Sequence, residues 1–310
     1  MGTEQRSSVE GLLALDSRLA GAATMRAVVQ HRYGPPSVLE SCEVPVPRLG
    51  RRDVLVEVAA ASVHPGDYFI MTGEPYLVRL AFGLRRPRHP IPGMDLAGVV
   101  TAVGKDVTTL RAGEQVFGWS TTGTLAQYAC VPADSLVTVP ANVSMVQAAA
   151  VPTSAMTALQ ALRDVANARP GQTLLVTGAS GGVGSFAVQI AKAFGAEVTG
   201  VCNTRNIDLV RSLGADHVVD YTKTDYTRTD KRYDIILDNV AAQSLAAARR
   251  ALPPTGTLIP NSGQYPEGDG AAGTYLSTGP IARRAEDLSM LVRILAGPHE
   301  DINLITLLLG

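Results

Sequence analysis

The sequence predicts a two-domain α/β protein in which a mainly antiparallel β domain precedes a doubly wound parallel sheet. Before about residue 150, short segments of alternating apolar and polar residues, such as 54–58 and 125–131, are separated by Pro/Gly clusters, as is typical of antiparallel strands. After it, apolar strands alternate with helical stretches, as is typical of a parallel sheet covered by helices. We therefore expect an N-terminal extension over residues 1–24, a first domain over 25–150 and a second domain over 151–310.

The same patterns predict individual elements. Gly195 and Gly214 each follow a helical stretch, at the place where a left-handed residue commonly ends a helix. The first strand of the chain is expected at residues 25–29. In the second domain we expect strands at 173–177, 197–202 and 233–238 and helices at 183–194 and 207–213.

The composition excludes several classes of protein. The chain has 310 residues, of which 46% are hydrophobic and 18% charged, so it has enough apolar mass to fold and does not have the composition of a disordered protein. Lys and Arg number 27 against 28 Asp and Glu, and this balance lacks the field that general binding to nucleic acid requires. A basic cluster at residues 79–89 fits either a solvated loop or attraction of an anionic ligand. We expect a small-molecule partner and no nucleic acid.

Cysteine usage and hydropathy indicate the compartment. Cys42, Cys130 and Cys202 are odd in number, widely spaced and form no Cys-x-x-Cys pair, so no disulfide framework is expected. The N-terminal stretch lacks the apolar core of a secretion signal. No run approaches the roughly 18 apolar residues that a membrane span needs. These observations predict a cytoplasmic protein without a membrane span.

A glycine-rich turn in the second half predicts a dinucleotide site. Residues 173–184 read TLLVTGASGGVG, a buried strand that runs through glycines into a helix. The glycines allow a sharp turn and close approach of a pyrophosphate, while the N–H groups and dipole of the helix attract the anion. A merely tight strand–helix turn is the alternative, but a second strand follows in the order that a dinucleotide fold requires. The expected cofactor contacts are Ser180, Gly181, Gly182, Val183 and Gly184.

The end of the next strand predicts which cofactor binds. An acidic residue about 20 positions on would bind the ribose hydroxyls of NAD. This place instead holds Asn203, Thr204 and Arg205. A guanidinium with a hydroxyl and an amide favours a 2′-phosphate, so NADPH is the expected cofactor. The alternatives are a solvated surface charge for Arg205 and a helix-capping role for Thr204 or Asn206.

The order of the motifs distinguishes two dehydrogenase families. The turn also fits the short-chain reductases, but none of the nine tyrosines has the Lys four residues later that those enzymes carry. Residues 91–100, 112–118 and 147–159, followed by the turn, are similar to the medium-chain dehydrogenase/reductase superfamily, and the similarity extends over about 25–263. The resemblance implies a GroES-like first domain and a Rossmann second domain.

Two positions within this resemblance predict a protein without zinc. Where the zinc alcohol dehydrogenases of the superfamily carry a Cys and a His ligand, this chain has His64 and Met94, and it lacks the cysteine-rich loop of the structural zinc. A thioether is a poor zinc ligand. We therefore expect no metal, and the chain is similar to the zinc-free quinone oxidoreductases, close to the group that includes the reticulon-4-interacting protein.

The resemblance implies a reductase that delivers hydride from NADPH to a quinone or an α,β-unsaturated carbonyl compound. It places Thr157, Asn239 and Ser262 near the nicotinamide and Tyr221 near the adenosine phosphate. The alternatives are a hydroxyl bonded back to a helix carbonyl for Thr157 and a half-buried surface ring for Tyr221.

The proton donor is expected to be Tyr76, by resemblance to the enoyl-thioester reductases, or His64, since imidazole is a common general acid in enzymes, or water. For both residues the alternative is a place in the cleft wall or in the core. Two alternatives remain for the protein as a whole: an enoyl-thioester reductase, or a cofactor-binding protein with little or no turnover.

The end of the chain departs from the superfamily, which usually continues past Gly263 into strands that return to the first domain. The C-terminus is therefore expected to be truncated relative to the family. Loss of those strands would leave a sheet edge exposed, which favours a homodimer contact or aggregation.

Overall fold

A computed structural model describes residues 24–261 of the chain. The N-terminal extension up to residue 23, the candidate residue Ser262 and the C-terminal segment that follows lie outside the described residues. The described part divides into two compact units, one formed by residues 24–116 and 120–133 and the other by residues 117–119 and 134–261.

The first half of the chain is mainly antiparallel β-structure, as expected. β1 and β2 form a two-stranded antiparallel sheet, and a five-stranded sheet has the order β6-β3-β4-β5-β7. Within it, β3 pairs antiparallel with both β4 and β6. The elements are β1 Thr24–Val29, β2 Glu40–Pro45, β3 Asp53–Ser62, α1 Pro65–Thr72, α2 Val78–Phe82, β4 Asp95–Val103, β5 Gln115–Trp119, β6 Tyr128–Pro132 and β7 Leu136–Thr138.

The second half alternates helices with strands and confirms the doubly wound parallel sheet. Its five strands have the order β10-β9-β8-β11-β12, and every neighbouring pair is parallel. The elements are α3 Met145–Ala149, α4 Pro152–Gln160 with a π-helical turn Ala161–Val165, β8 Thr173–Thr177, α5 Gly182–Ala193, β9 Glu197–Cys202, α6 Ile207–Ser212, β10 His217–Asp220, β11 Ile235–Asp238, α7 Leu245–Arg250 and β12 Thr257–Pro260.

The central strands of the parallel sheet are apolar on both faces because helices cover them. Leu174, Leu175 and Val176 of β8 are fully buried, as are Ile236 and Leu237 of β11. Such continuous apolar runs are typical of parallel strands, whose crossover helices keep water from both faces. The sheet core therefore lies at β8 and β11, and their carboxyl ends define one edge of the second unit.

The boundary between the two compact units falls earlier in the chain than the change of sequence pattern. Residues 134–150 lie with the second unit, whereas the change from antiparallel to alternating pattern falls near residue 150. This segment holds β7 and α3, which precede the first parallel strand. Sequence pattern identifies the local type of structure, while the unit boundary depends on which distant residues pack together.

A close contact shapes the turn between β8 and α5. Gly178 has a φ of +60°, in the left-handed region. A Cβ atom on Gly184 would lie 2.0 Å from the carbonyl oxygen of Gly178, and one on Gly181 would lie 3.3 Å from the same oxygen. The first turn of α5 therefore presses directly on the backbone of the preceding turn, and only a glycine fits at position 184.

We expect Gly184→Ala to lower the free energy of unfolding by about 2 kcal/mol or more, because the added methyl group meets rigid backbone rather than a movable side chain. Gly181→Ala is the matched control, since Gly181 has an ordinary φ of −84° and more room. Its cost should stay near that of an alanine N-cap, about 1 kcal/mol or less. Urea unfolding followed by circular dichroism measures both, and equal costs would contradict the close contact.

Candidate cofactor site

The carboxyl edge of the parallel sheet exposes unpaired backbone donors at the start of α5. The N-cap residue Gly181 has no side chain, and within residues 24–261 the N–H groups of Gly182, Val183 and Gly184 donate to no acceptor. Gly181 and Gly182 are exposed. Unpaired N–H groups and the positive end of the helix dipole attract an anion. The turn therefore fits a pyrophosphate, which needs close approach to bare backbone.

Hydrogen bonds connect this turn to the neighbouring strand. The N–H of Gly181 donates to the carbonyl of Gly178 at 2.9 Å, and the N–H of Ala179 donates to the carbonyl of Val201 in β9 at 3.0 Å. The side-chain amide of Asn206 donates to Ser180 Oγ at 2.9 Å. The structure thus brings together the two groups of predicted contacts, the turn and the residues that follow β9.

The residues after β9 form a 3-10 turn, Thr204–Asn206, on the surface. Thr204 and Arg205 are exposed, and the amide oxygen of Asn203 is buried and accepts no hydrogen bond from any residue between 24 and 261. Asn206 is the N-cap of α6, but its side chain makes no capping bond and binds Ser180 instead. The capping alternative for Asn206 is therefore not observed, and Arg205 is free to meet a ligand from solvent.

A carboxylate that the sequence patterns did not indicate lies at this edge. Thr204 Oγ1 donates to Asp220 Oδ2 at 2.6 Å. β10 runs parallel to β9 with Asp220 opposite Cys202, so the carboxyl end of β10 lies beside the 203–205 segment. Hydrogen bonds from Thr204 and Thr222 lower the pKa of Asp220 to about 2, so the group is ionised at neutral pH. Residues 217–220 were not among the strands with predicted bounds, so the sequence offered no signal that places Asp220 beside the residues after β9.

Tyr221 lies at the same edge with its ring accessible. Its N–H donates to the carbonyl of Cys202 at 3.1 Å, and 61% of its surface is exposed. Tyr221 is therefore more exposed than the half-buried surface ring that was the alternative to a cofactor contact. Thr204, Arg205 and Tyr221 are all exposed residues at the ends of the adjacent strands β9 and β10.

The end of β11 holds a second network that the sequence did not predict. Thr177 Oγ1 donates to Asp238 Oδ1 at 2.6 Å, and Asp238 is only 1% exposed. The N–H of Asn239 donates to Thr177 Oγ1 at 2.9 Å, and its side-chain amide donates to the Thr177 carbonyl at 2.9 Å. Asn261 donates to the amide oxygen of Asn239 at 2.8 Å. Asn239 is thus held in one orientation beside the glycine-rich turn.

Thr157 is buried within α4, which packs near the turn. Its hydroxyl donates to the carbonyl of Thr153 at 2.7 Å, so the alternative role of a hydroxyl bonded back along its own helix is observed. A Cβ on Gly182 would lie 3.0 Å from Ser154 Oγ, which shows how closely α4 approaches the start of α5. The lone pairs of the Thr157 hydroxyl can still accept a hydrogen bond.

His64 lies in the first unit as the N-cap of α1. The ring Nδ1 of His64 accepts the backbone N–H of Gly66 at 3.1 Å, and the backbone N–H of His64 donates to Asp67 Oδ2 at 2.9 Å. An acceptor at Nδ1 leaves the hydrogen of the neutral ring on Nε2, which lies 3.5 Å from Asp67 Oδ2. Burial raises the pKa of Asp67, and the nearby imidazole partly opposes this shift. The position gives His64 a structural role at the helix start.

Tyr76 also lies in the first unit and is 72% exposed. The guanidinium of Arg79 lies 4.6 Å from the centre of its ring and 4.6 Å from that of Tyr33, so Arg79 stacks against both rings. Arg79 Nε also donates to the carbonyl of Gly73 at 2.9 Å. The catalytic roles of Tyr76 and His64 stay predictions.

Residues 24–261 contain neither a cluster of metal ligands nor a helix that could cross a membrane. No cluster of three or more His, Cys, Asp or Glu side chains is placed to bind a metal ion in this part of the chain. No helix within the same residues has the length and apolar character needed to cross a membrane.

Comparison with known proteins identifies both halves of the chain. The family model for an alcohol dehydrogenase GroES-like domain matches residues 50–141, and that for a zinc-binding dehydrogenase matches residues 182–286. The trans-enoyl reductase pgmF of Aspergillus terreus is 40% identical over 204 residues, which are 62% of this chain and 56% of that protein. The chain therefore spans little more than half the length of this relative.

The similarity to quinone oxidoreductases covers more of their length than the similarity to the trans-enoyl reductase does. The chloroplast envelope quinone oxidoreductase homolog of Arabidopsis thaliana is 37% identical over 229 residues, covering 69% of this chain and 67% of that protein. The solved structure of the quinone oxidoreductase from Coxiella burnetii superposes with a TM-score of 0.69 at 29% identity, covering 76% of this chain and 75% of that one. The chain belongs to the medium-chain dehydrogenase/reductase superfamily, and quinone oxidoreductases are among its relatives.

Proposed function

We propose that the chain is a zinc-independent reductase that transfers hydride from NADPH to a quinone or to an α,β-unsaturated carbonyl compound. The observation that carries this proposal is the set of unpaired N–H groups at the start of α5, together with exposed Arg205 and Tyr221 at the adjacent strand ends. Quinone oxidoreductases and an enoyl reductase among the relatives support this class of acceptor.

The proposed cofactor contacts follow from this geometry. The N–H groups of Gly182, Val183 and Gly184 would bind the pyrophosphate, with Ser180 and Gly181 beside it. The guanidinium of Arg205 would bind the 2′-phosphate, since β9 ends without an acidic residue. Asn203 and Thr204 adjoin that phosphate position, and Tyr221 would cover the adenosine. The nicotinamide, when bound, supplies the hydride for the reaction.

At the nicotinamide end the chain supplies orientation. Asn239 is held by Thr177 and Asn261, so a hydrogen bond from its amide would act from a fixed direction. Thr157 offers acceptor lone pairs from α4, and Ser262, outside the described residues, stays a prediction. Protonation of the enolate or quinol is proposed to come from His64 Nε2–H, from the Tyr76 hydroxyl or from water.

An enoyl-thioester reductase is the second candidate, favoured by the 40% identity to a trans-enoyl reductase. The third is a protein that binds the cofactor with little or no turnover. A homodimer and a cytoplasmic location stay predictions. Absence of zinc is proposed on the ligand chemistry of Met94, since a thioether replaces the imidazole that zinc prefers.

The purified chain should oxidise NADPH when 9,10-phenanthrenequinone or a simple enone is added, because such acceptors need no metal to polarise them. Absorbance of NADPH follows the reaction. Tight NADPH binding without acceptor-dependent oxidation would contradict a reductase and support the binding protein. Preference for an acyl-CoA enone over free quinones, with loss of rate in Tyr76→Phe, would support the thioester reductase instead.

Arg205→Ala should weaken NADPH binding by about 1.5–3 kcal/mol, the value of a hydrogen bond to a charged group, and leave NADH nearly unchanged. Isothermal titration calorimetry with each nucleotide measures both. Arg211→Ala is the control, because Arg211 is an exposed cation of α6 paired with Asp208 at 3.5 Å. If Arg205→Ala weakened both cofactors equally, Arg205 would not be the phosphate ligand.

Elemental analysis of the purified chain should find no stoichiometric zinc. The residues at the two ligand positions give the physical reason: Met94 offers a thioether, a poor zinc ligand, and the acceptor role of His64 Nδ1 leaves the hydrogen of the neutral ring on Nε2. One zinc ion per chain, retained after gel filtration in chelator, would contradict this part of the proposal.

A further inference from the structure

Asp220 is an acidic group at the edge where the 2′-phosphate is proposed to bind. It ends β10, directly before Tyr221, and pairs in register with Cys202 at the end of β9. Its side chain is 9% exposed, so it lies beneath the surface that Thr204 and Tyr221 present. A carboxylate in this place affects any ligand that carries phosphate charge nearby.

Donors surround the Asp220 carboxylate and use its acceptor positions. Oδ1 accepts the N–H of Thr222 at 3.0 Å and its hydroxyl at 2.7 Å. Oδ2 accepts the hydroxyl of Thr204 at 2.6 Å and lies 3.3 Å from the ammonium of Lys223. The carboxylate is therefore engaged inside the protein, and it is not presented to ribose hydroxyls as the acidic residue of an NAD site would be.

The bond to Asp220 changes what Thr204 can offer a phosphate. A hydroxyl has one hydrogen, and the 2.6 Å contact directs that of Thr204 to Asp220. Thr204 then presents only lone pairs to a phosphate oxygen, which is itself an acceptor. The charge of Asp220 adds repulsion, and Lys223 offsets it incompletely because its own side chain is 67% exposed.

We propose that Asp220 is a specificity-determining residue that limits the preference for NADPH over NADH, by holding the Thr204 hydroxyl away from the 2′-phosphate and by placing a negative charge beside it. The inference rests on the proposed NADPH site. Arg205 attracts the 2′-phosphate and Asp220 repels it. The ratio of the dissociation constants of NADH and NADPH therefore measures the net effect of the two residues.

Asp220→Asn tests this directly. The amide oxygen can keep the bonds from Thr222, while the amide nitrogen donates to Thr204 Oγ1 and so frees the hydroxyl hydrogen for a phosphate. We expect the Kd of NADPH to fall about three- to tenfold and that of NADH to change less than about twofold. Calorimetry with 2′,5′-ADP and 5′-ADP, which differ at the 2′-phosphate, should show the same shift without any turnover.

Asp225→Asn is the matched control. Asp225 Oδ1 accepts the N–H of Thr227 at 2.9 Å and its hydroxyl at 2.7 Å, and Arg228 lies 3.3 Å from Oδ2. The turn at Asp225 thus has the same form as that at Asp220, but Asp225 makes no bond to Thr204. The ratio of the dissociation constants of NADH and NADPH should therefore stay unchanged in Asp225→Asn. Adding Thr204→Val to Asp220→Asn should remove the part of the gain that the freed hydroxyl provides.

An unchanged or lowered NADPH preference in Asp220→Asn would overturn the inference while leaving the proposed function intact. A chain that binds neither nucleotide would instead contradict the proposed function and, with it, this inference. Should Asp220→Asn fail to fold, Asp220→Ser removes the same charge with a smaller side chain and must raise the preference in the same direction.

Discussion

Close backbone contact between the turn after β8 and the first turn of α5 is the constraint on which the rest of this edge depends. Gly184 lies against the carbonyl of Gly178 with no room for a Cβ atom. At the start of α5, the N–H groups of residues 182–184 donate to no acceptor within residues 24–261, and Gly182 is exposed whereas Gly184 is buried. An anion at this point meets bare backbone and a helix dipole together, which explains why a phosphate group suits the site.

Polar side chains attach the flanking loops to this turn, so the sheet edge behaves as one surface. Asn206 binds Ser180 on the β9 side, while Thr177 holds Asn239 on the β11 side. The first bond joins the segment after β9 to the turn, and the second joins the candidate cofactor residue Asn239 to the strand before the turn. Because these side chains are already oriented before a ligand arrives, less conformational entropy is lost on binding.

Local patterns predicted β8, α5 and β9 at this edge, whereas no bounds were predicted for β10. The strands Thr173–Thr177 and Glu197–Cys202 lie where apolar runs predict them, and α5 differs by one residue at each end. The hydrogen-bond partners of the carboxylates could not be predicted from local patterns. Thr177 and Asp238 are 61 residues apart in the chain, and only the pairing of parallel strands brings them to 2.6 Å. Asp220 meets Thr204 for the same reason: the pairing of β10 with β9 brings a carboxylate beside the segment in which local spacing showed no acidic residue.

The proposed function requires a dinucleotide to bind across this edge with its pyrophosphate on the N–H groups of α5. A crystal structure of the chain soaked with NADPH tests it most directly. We expect phosphate density within hydrogen-bond distance of Gly182 and Val183, with the adenosine end beside Arg205 and Tyr221. A crevice without density at saturating NADPH, or a nucleotide held elsewhere on the chain, would contradict it.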